Sequence, residues 1–218
     1  MSSQIGHDDI VTNGLIYCVD PANKKSYPGS GTSVTNVVGN NTGSISGATF
    51  GNNTFSFDGS NDRIDCGNAS SLSLTSNFSL CAWMKSSDQN NYAVAIGKTD
   101  SNGYSMQMRA QNNTFRMNIN DGSWKTAYYT VDPIDDGNWY CVIGTHDGST
   151  IKIYVNAVKG TDASAGSATT NAASLYIGAE STGNYFKGDI GPVHIYNQVL
   201  SAAEVTQNFN AVRTRFGV

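Results

Sequence analysis

The chain has little charge, very little glutamate, no paired cysteines and no long apolar run. Asp, Glu, Lys and Arg make up 14% of its 218 residues, against about 25% in an average soluble domain. With a net charge of −4 and no run of Lys or Arg, it lacks the basic footprint that a phosphate backbone attracts, so nucleic acid is not an expected partner. No apolar stretch reaches the roughly 20 residues of a spanning helix, so a membrane is not expected either. The opening, Met1 to Asp9, has no basic segment leading into an apolar one, which excludes a secretory signal and leaves this as the expected start of the mature chain. Gly-x-Gly-x-x-Gly, phosphate-loop and EF-hand patterns are absent, as is a Gly-x-Ser-x-Gly nucleophile elbow. Nucleotide chemistry and a Ser-His-Asp site therefore have no local support, and His7, His146 and His194 read as structural.

Cys18, Cys66, Cys81 and Cys141 are widely spaced, each beside strand-like residues, with no Cys-x-x-Cys to suggest zinc or redox work. Buried free thiols are expected, although an even count permits two bridges. Five Asn-x-Ser/Thr sequons, at Asn40, Asn52, Asn68, Asn77 and Asn112, read as accidents of an Asn/Ser/Thr-rich composition, given the missing signal.

The clearest pattern present is Asp136 to Asn156. Asp147-Gly148 supplies the positive φ angles of a tight antiparallel turn between two strand-like runs. Beyond it Ile151, Ile153 and Val155 alternate with Lys152, Tyr154 and Asn156, as in a strand with one face on a core. Before it Trp139, Cys141 and Ile143 occupy one parity and Tyr140 and Val142 the other, which predicts a strand covered on both faces. Elsewhere Gly14–Asp20, Phe78–Lys85, Tyr92–Lys98, Tyr104–Arg109, Thr114–Ile119, Trp124–Val131 and Leu175–Ala179 read as strands, separated by Gly, Asn and Asp turns. Short strands at this spacing are those of an antiparallel sandwich. Ser201-Ala202-Ala203-Glu204 is a capping box, and Val205, Phe209 and Val212 give the helix that follows, through about residue 212, one apolar stripe. A length of 218 residues suits one all-β domain burying about 70% of its unfolded surface without disulfide or metal. Residues 1–13 read as a flexible arm.

The order Gly137-Asn138-Trp139, then Thr145-His146-Asp147-Gly148, then Ile151-Lys152-Ile153-Tyr154-Val155-Asn156 resembles the signature hairpin of laminin-G-like domains. These belong to the concanavalin A-like lectin/glucanase superfamily. Phe55-Ser56-Phe57-Asp58-Gly59 through Ile64-Asp65-Cys66-Gly67 resembles a further family hairpin, and Phe186 to Asn197 its closing strand. In that strand Gly191-Pro192 replaces the family's acidic pair, and proline predicts an interruption or an edge there. The segment from Gly14-Leu15 through Ser26-Tyr27-Pro28-Gly29, with the closing Gln207 to Arg213, resembles bacteriophage virion proteins. The resemblance implies an all-β, concanavalin A-like jelly-roll sandwich of two antiparallel sheets with a short C-terminal helix, in which Trp83 and Trp139 are core residues.

For function the resemblance implies binding. Glucanase members carry Glu-x-Asp-x-x-Glu on one strand, and a retaining glycosidase needs two carboxylates about 5 Å apart. This chain has only Glu180 and Glu204; Glu204 belongs to the capping box, so an enzyme is not expected and hydrolysis stays a remote alternative. Laminin-G-type domains often hold one calcium ion at the rim, and Asp58, Asp62 and Asp189 fall in the matching segments; the alternative is that they serve turns and ion pairs. Trp124, Tyr128, Tyr129, Tyr92 and Tyr185 lie in or beside loops and are candidates to stack on a sugar, with packing as the alternative for at least half. Two functions stay open. One is a virion component, a capsid decoration or fibre adhesin made in the host cytoplasm, with other virion proteins or cell-surface polysaccharide as partners and a homo-oligomeric interface. The other is a free carbohydrate-binding lectin.

Overall fold

The structure is a computed structural model that describes residues 9–39, 41–88 and 92–218; His7, the sequon at Asn40 and most of the expected arm lie outside them. The chain opens with β1 (Leu15–Val19), β2 (Ser33–Thr35), β3 (Thr42–Ser46) and β4 (Thr49–Gly51), followed by β5 (Thr54–Asp58) and β6 (Arg63–Asp65). Four long strands come next: β7 (Phe78–Lys85), β8 (Ala93–Thr99), β9 (Gly103–Arg109) and β10 (Thr114–Asn120). Then follow β11 (Trp124–Thr130), β12 (Tyr140–His146), β13 (Thr150–Val155), β14 (Val158–Lys159), β15 (Ala163–Ser164), β16 (Tyr176–Ile177), β17 (Lys187–Tyr196) and the helix α1 (Ala202–Phe216). Among the described residues no helix is long and apolar enough to cross a membrane.

The strands form two antiparallel sheets. The first runs β14-β13-β12-β7-β17-β5-β4, with β1 also paired to β17 and β15 to β13; the second runs β11-β10-β9-β8-β16-β6-β3-β2. The all-β sandwich expected from the strand spacing is thus present. The organising hairpin is β12–β13, with Val142 opposite Val155 and His146 opposite Ile151.

Parity along β7 and β12 divides the interior in two. Leu80, Ala82, Met84 and Val142 face the second sheet in the main core. Cys81, Trp83, Cys141 and Ile143 face the other way, into a smaller cluster closed by Val205 with Phe209, Val212 and Phe216 of α1. This is why those strands read as apolar on both parities: the helix covers what would otherwise be the outer face of the first sheet. Trp83 is fully buried, stacked on Phe216 at 4.7 Å and Phe209 at 5.8 Å between ring centroids. All four cysteines are free and buried.

Five expectations need correction. Phe55–Gly67 is not a hairpin, because β5 pairs with β17 in the first sheet and β6 with β3 and β16 in the second; the Asp58–Asp62 turn carries the chain between layers. Gly191-Pro192 is neither an edge nor a break in the strand. β17 is central, and the pair sits between its β5-bonded half (Lys187–Ile190) and its β1-bonded half (Val193–Tyr196), at a bulge against β7. Proline's missing N–H is harmless at that junction, and a Cβ on Gly191 would lie 2.6 Å from the Phe216 ring. The helix runs four residues beyond 212, to Phe216, with Gly217 (φ +73°) as its C-cap. Residues 9–13 are docked, not free: Val11 is buried and its N–H donates to Asn208 Oδ1 at 2.8 Å. Trp139 is only half-buried, lying before β12 with its ring 4.2 Å from Phe216.

Candidate functional site

The first sheet's outer face is occupied by α1, so the exposed broad face belongs to the second sheet. On β9, β10 and β11 the residues Met106, Met108, Phe115, Met117, Ile119 and Ala127 point into the core. Alternation then turns Ser105, Gln107, Arg116, Asn118, Trp124, Thr126 and Tyr128 outward. Across the strands Asn118 faces Ser105 and Thr126, and Arg116 faces Gln107 and Tyr128.

These side chains form a polar lattice on that face. Thr126 Oγ1 donates to Asn118 Oδ1 at 2.8 Å, Asn118 Nδ2 donates to Ser105 Oγ at 3.2 Å, and Gln107 Nε2 donates to the same hydroxyl at 3.3 Å. Thr126, Asn118 and Gln107, with Tyr92, Trp124, Thr99, Asp100, Glu180 and Asn184, line a groove of about 410 Å³, while Ser105, whose hydroxyl joins Asn118 to Gln107, is buried. One wall is the tight turn around Glu180 and Gly183, closed by two backbone hydrogen bonds of 3.0 and 3.1 Å. The Glu180 carboxylate accepts from Thr99 Oγ1 at 2.7 Å, from Thr182 Oγ1 at 3.3 Å and from Asn184 Nδ2. Asp100, at the end of β8, is held below its ordinary pKa by the Ser101 backbone N–H and further donors in its own turn.

Two arginines complete the face. Arg109 lies 4.2 Å over the Tyr92 ring and its Nη2 donates to the Tyr92 hydroxyl at 2.5 Å. Arg116 Nε donates to Thr114 Oγ1 at 2.9 Å and Nη2 to Asn112 Oδ1 at 3.4 Å. Burial, then the neighbouring Arg109 guanidinium, push the Arg116 pKa down.

Of the five aromatic candidates, the structure brings Tyr92 and Trp124 into the groove, 41% and 47% exposed. Tyr128 stands on the same face beyond its end, also exposed. Tyr129 has the opposite parity and packs against the main core. Tyr185 is in a separate hollow of about 130 Å³ with Arg63, Tyr176, Glu180 and Ser181. Gln107, Arg116, Asn118 and Glu180 were not anticipated as site residues. The strict alternation of Thr114, Arg116, Asn118 and Asn120 with Phe115, Met117 and Ile119 could have revealed the β10 members.

The carboxylates proposed for calcium do not assemble. Asp58 Oδ1 accepts from Ser60 N–H at 2.8 Å and Asn61 N–H at 3.4 Å, capping its own turn. Asp62 is buried, which raises its pKa, and it accepts the Asp58 N–H at 2.9 Å. Asp189 pairs with Lys85 at 3.0 Å. Among the described residues no three His, Cys, Asp or Glu side chains lie together to hold a metal ion. A larger hollow of about 480 Å³ beside Asp189 is lined by Lys85, Asp88 and Lys187. Its charges are spent on the Lys85–Asp189 and Lys187–Asp88 pairs, and its aromatic wall is the buried Phe57. The groove on the second sheet is therefore the better candidate.

A laminin-G-type family profile, described as the concanavalin A-like lectin/glucanases superfamily, matches residues 58–206. No curated protein sequence matches the chain. Among solved structures, the fold is similar to domain 4 of an extracellular GH43 arabinanase from Geobacillus stearothermophilus in complex with arabinotriose. The TM-score is 0.71 at 17% identity, over 89% of this chain and 97% of that one. It is also similar to the botulinum neurotoxin type C chain studied for its interaction with two ganglioside molecules (TM-score 0.72, 13% identity, 91% of this chain and 51% of that). The serotype D ligand-binding domain in complex with N-acetylneuraminic acid is a third (0.70, 14%, 90% and 50%). The chain thus spans about half the length of the toxin chains, and at these identities the likeness is one of fold.

Proposed function

The chain belongs to the concanavalin A-like lectin/glucanases superfamily, and from that premise we propose that it is a non-catalytic glycan-binding module whose ligand lies across the outer face of the second sheet. The observation that carries this reading is the pairing, in one groove, of exposed Trp124 and Tyr92 with Thr126, Asn118 and Gln107, which are held in place through the buried Ser105 hydroxyl. A pyranose offers a C–H face that stacks on an aromatic ring and a rim of hydroxyls that need donors and acceptors at fixed positions. Side chains already held by one another lose little freedom when a sugar arrives. The arabinotriose and N-acetylneuraminic acid complexes of similar folds support the class of ligand.

The two glutamates favour binding over hydrolysis. Glu204 is committed to the helix cap, and both oxygens of Glu180 already accept hydrogen bonds from Thr99, Thr182 and Asn184. A virion setting, with particle proteins as further partners, rests on the resemblance of the opening and closing segments alone. Recovery of the chain with purified particles tests it.

The test of the binding reading is a glycan array followed by calorimetry on the best ligand, with Trp124→Ala alongside. Loss of one stacked ring is expected to weaken binding about tenfold or more, with thermal stability unchanged because the ring is half exposed. Chelator is expected to have no effect, since the aspartates do not gather. Equal affinity in the variant would place the ligand elsewhere and sink the reading.

A further inference from the structure

The groove has an uneven charge distribution that its own hydrogen bonds do not neutralise. Asp100 and Glu180 stand on the β8 side, where hydroxyl, amide and backbone donors surround both. Arg116 rises from β10, two strands away, on the order of 10 Å across the sheet. Its hydrogen-bond partners, Thr114 and Asn112, are neutral, and those of Arg109 are the Tyr92 hydroxyl and Gln111. Arg109 Nε is buried without a partner. No carboxylate among the described residues forms an ion pair with either guanidinium. The strand register puts Arg109 opposite Thr114, one same-face position along from Arg116 opposite Gln107, and the neighbouring Arg109 charge disfavours the Arg116 cation.

Two partly desolvated cations on neighbouring positions of one face, without an ion-paired anion, are costly in the free protein. A ligand that supplies the anion removes that cost, and the planar guanidinium matches a carboxylate or sulfate with two parallel hydrogen bonds. Neutral sugar hydroxyls could satisfy the N–H groups but would leave the repulsion in place.

Resting on the glycan reading above, we infer that the preferred ligand is a short oligosaccharide carrying a single anionic group, seated on Arg116, with its neutral rings running toward Trp124. The carboxylates on the opposite wall act as a filter. A chain with an anion on every residue would bring one against Asp100 or Glu180, so a uniform polyanion is discriminated against and a singly charged glycan is selected.

The experiment compares, by calorimetry at low salt, glucuronosyl-xylotriose, its methyl ester, xylotetraose bearing one sulfate, and tetragalacturonate. The free acid is expected to bind about tenfold more tightly than its ester, a preference that shrinks with added salt. Tetragalacturonate is expected to be weaker than the singly charged acid. The sulfated arm distinguishes a general anion seat, where it matches the free acid, from a carboxylate-specific one, where it falls to the level of the ester; both support the inference. In Arg116→Gln the ratio of acid to ester affinity is expected to fall to about one, and Arg116→Lys, which keeps the charge, should retain part of it. Equal binding of acid and ester by the unaltered protein overturns the inference and leaves the glycan reading standing. Failure of all four probes together with a silent array overturns both.

Discussion

At the scale of single residues, the two tryptophans on the helix side of the first sheet show how far parity carries. Both were placed in the core from sequence, and both do face α1. Trp83 is fully buried, so Trp83→Ala is expected to cost about 3–5 kcal/mol in urea denaturation. Trp139 keeps one side in solvent under the Lys85 ammonium, 5.3 Å from its centroid, and its truncation should cost roughly half as much. Equal losses would mean that Trp139 is buried more deeply than the structure shows. The difference was not legible because it depends on where Phe216, 77 positions after Trp139 and 133 after Trp83, comes to rest. The rings of β11 follow the same logic: Trp124 and Tyr129 sit on one strand and only their parity separates the grooved face from the core. His146 carries a pH signature. It is fully buried against Phe78, its Nε2 has no partner, and burial depresses its pKa. The unfolded chain takes up this proton first, near pH 6.5, so the contribution is complete above that value and declines as pH falls below it. His194 shifts the other way: burial opposes its charge, but the thiols of Cys18 and Cys81 raise it to about 10, so its contribution changes only above pH 6.5. The urea midpoint should therefore drop between pH 6.5 and 5 by more in the native protein than in His146→Gln, and parallel profiles would clear His146 of the effect.

At the scale of elements, local signals are legible in the sequence and the partners of each element are less so. The capping box at Ser201 and Glu204 is present, with Glu204 N–H donating to Ser201 Oγ at 3.3 Å and Ser201 N–H to Glu204 Oε2 at 2.8 Å. Ser201→Ala should lower stability by about 1 kcal/mol in a denaturant titration; no change would mean that docking alone holds the helix start. The Asp58–Asp62 turn was likewise recognised, yet a turn has the same chemistry whether it joins neighbours in one sheet or strands in two, so the crossover stayed hidden. Proline's exclusion from central strands does not hold at Pro192, because β17 changes partner there. Gly144 is a further case, since a Cβ on β12 would lie 2.1 Å from Met117 Sδ in the facing sheet. Gly144→Ala is expected to cost about 1–3 kcal/mol by forcing the layers apart, and a neutral result would show that Met117 can swing aside.

At the scale of the whole molecule, α1 makes the two faces of the sandwich unequal. The helix, the docked 9–13 segment and the second apolar cluster lie against one sheet, and the groove lies on the other. The fold class was legible from strand spacing and from the hairpin, but this asymmetry was not, because it arises from strands buried on both sides by an element far along the chain. It also sets how the module is presented. Asp9, whose carbonyl accepts from Gln207 at 2.7 Å, and Val218, bonded to the last turn of α1, both sit on the helix side. A tether leaving Asp9 or Val218 therefore pulls from behind, like a grip fixed to the back of a palm, and leaves the grooved face turned outward. Molecules anchored to a sensor by one end or by the other should show the same full ligand capacity, whereas a loss on one attachment only would mean that the palm is on the other side.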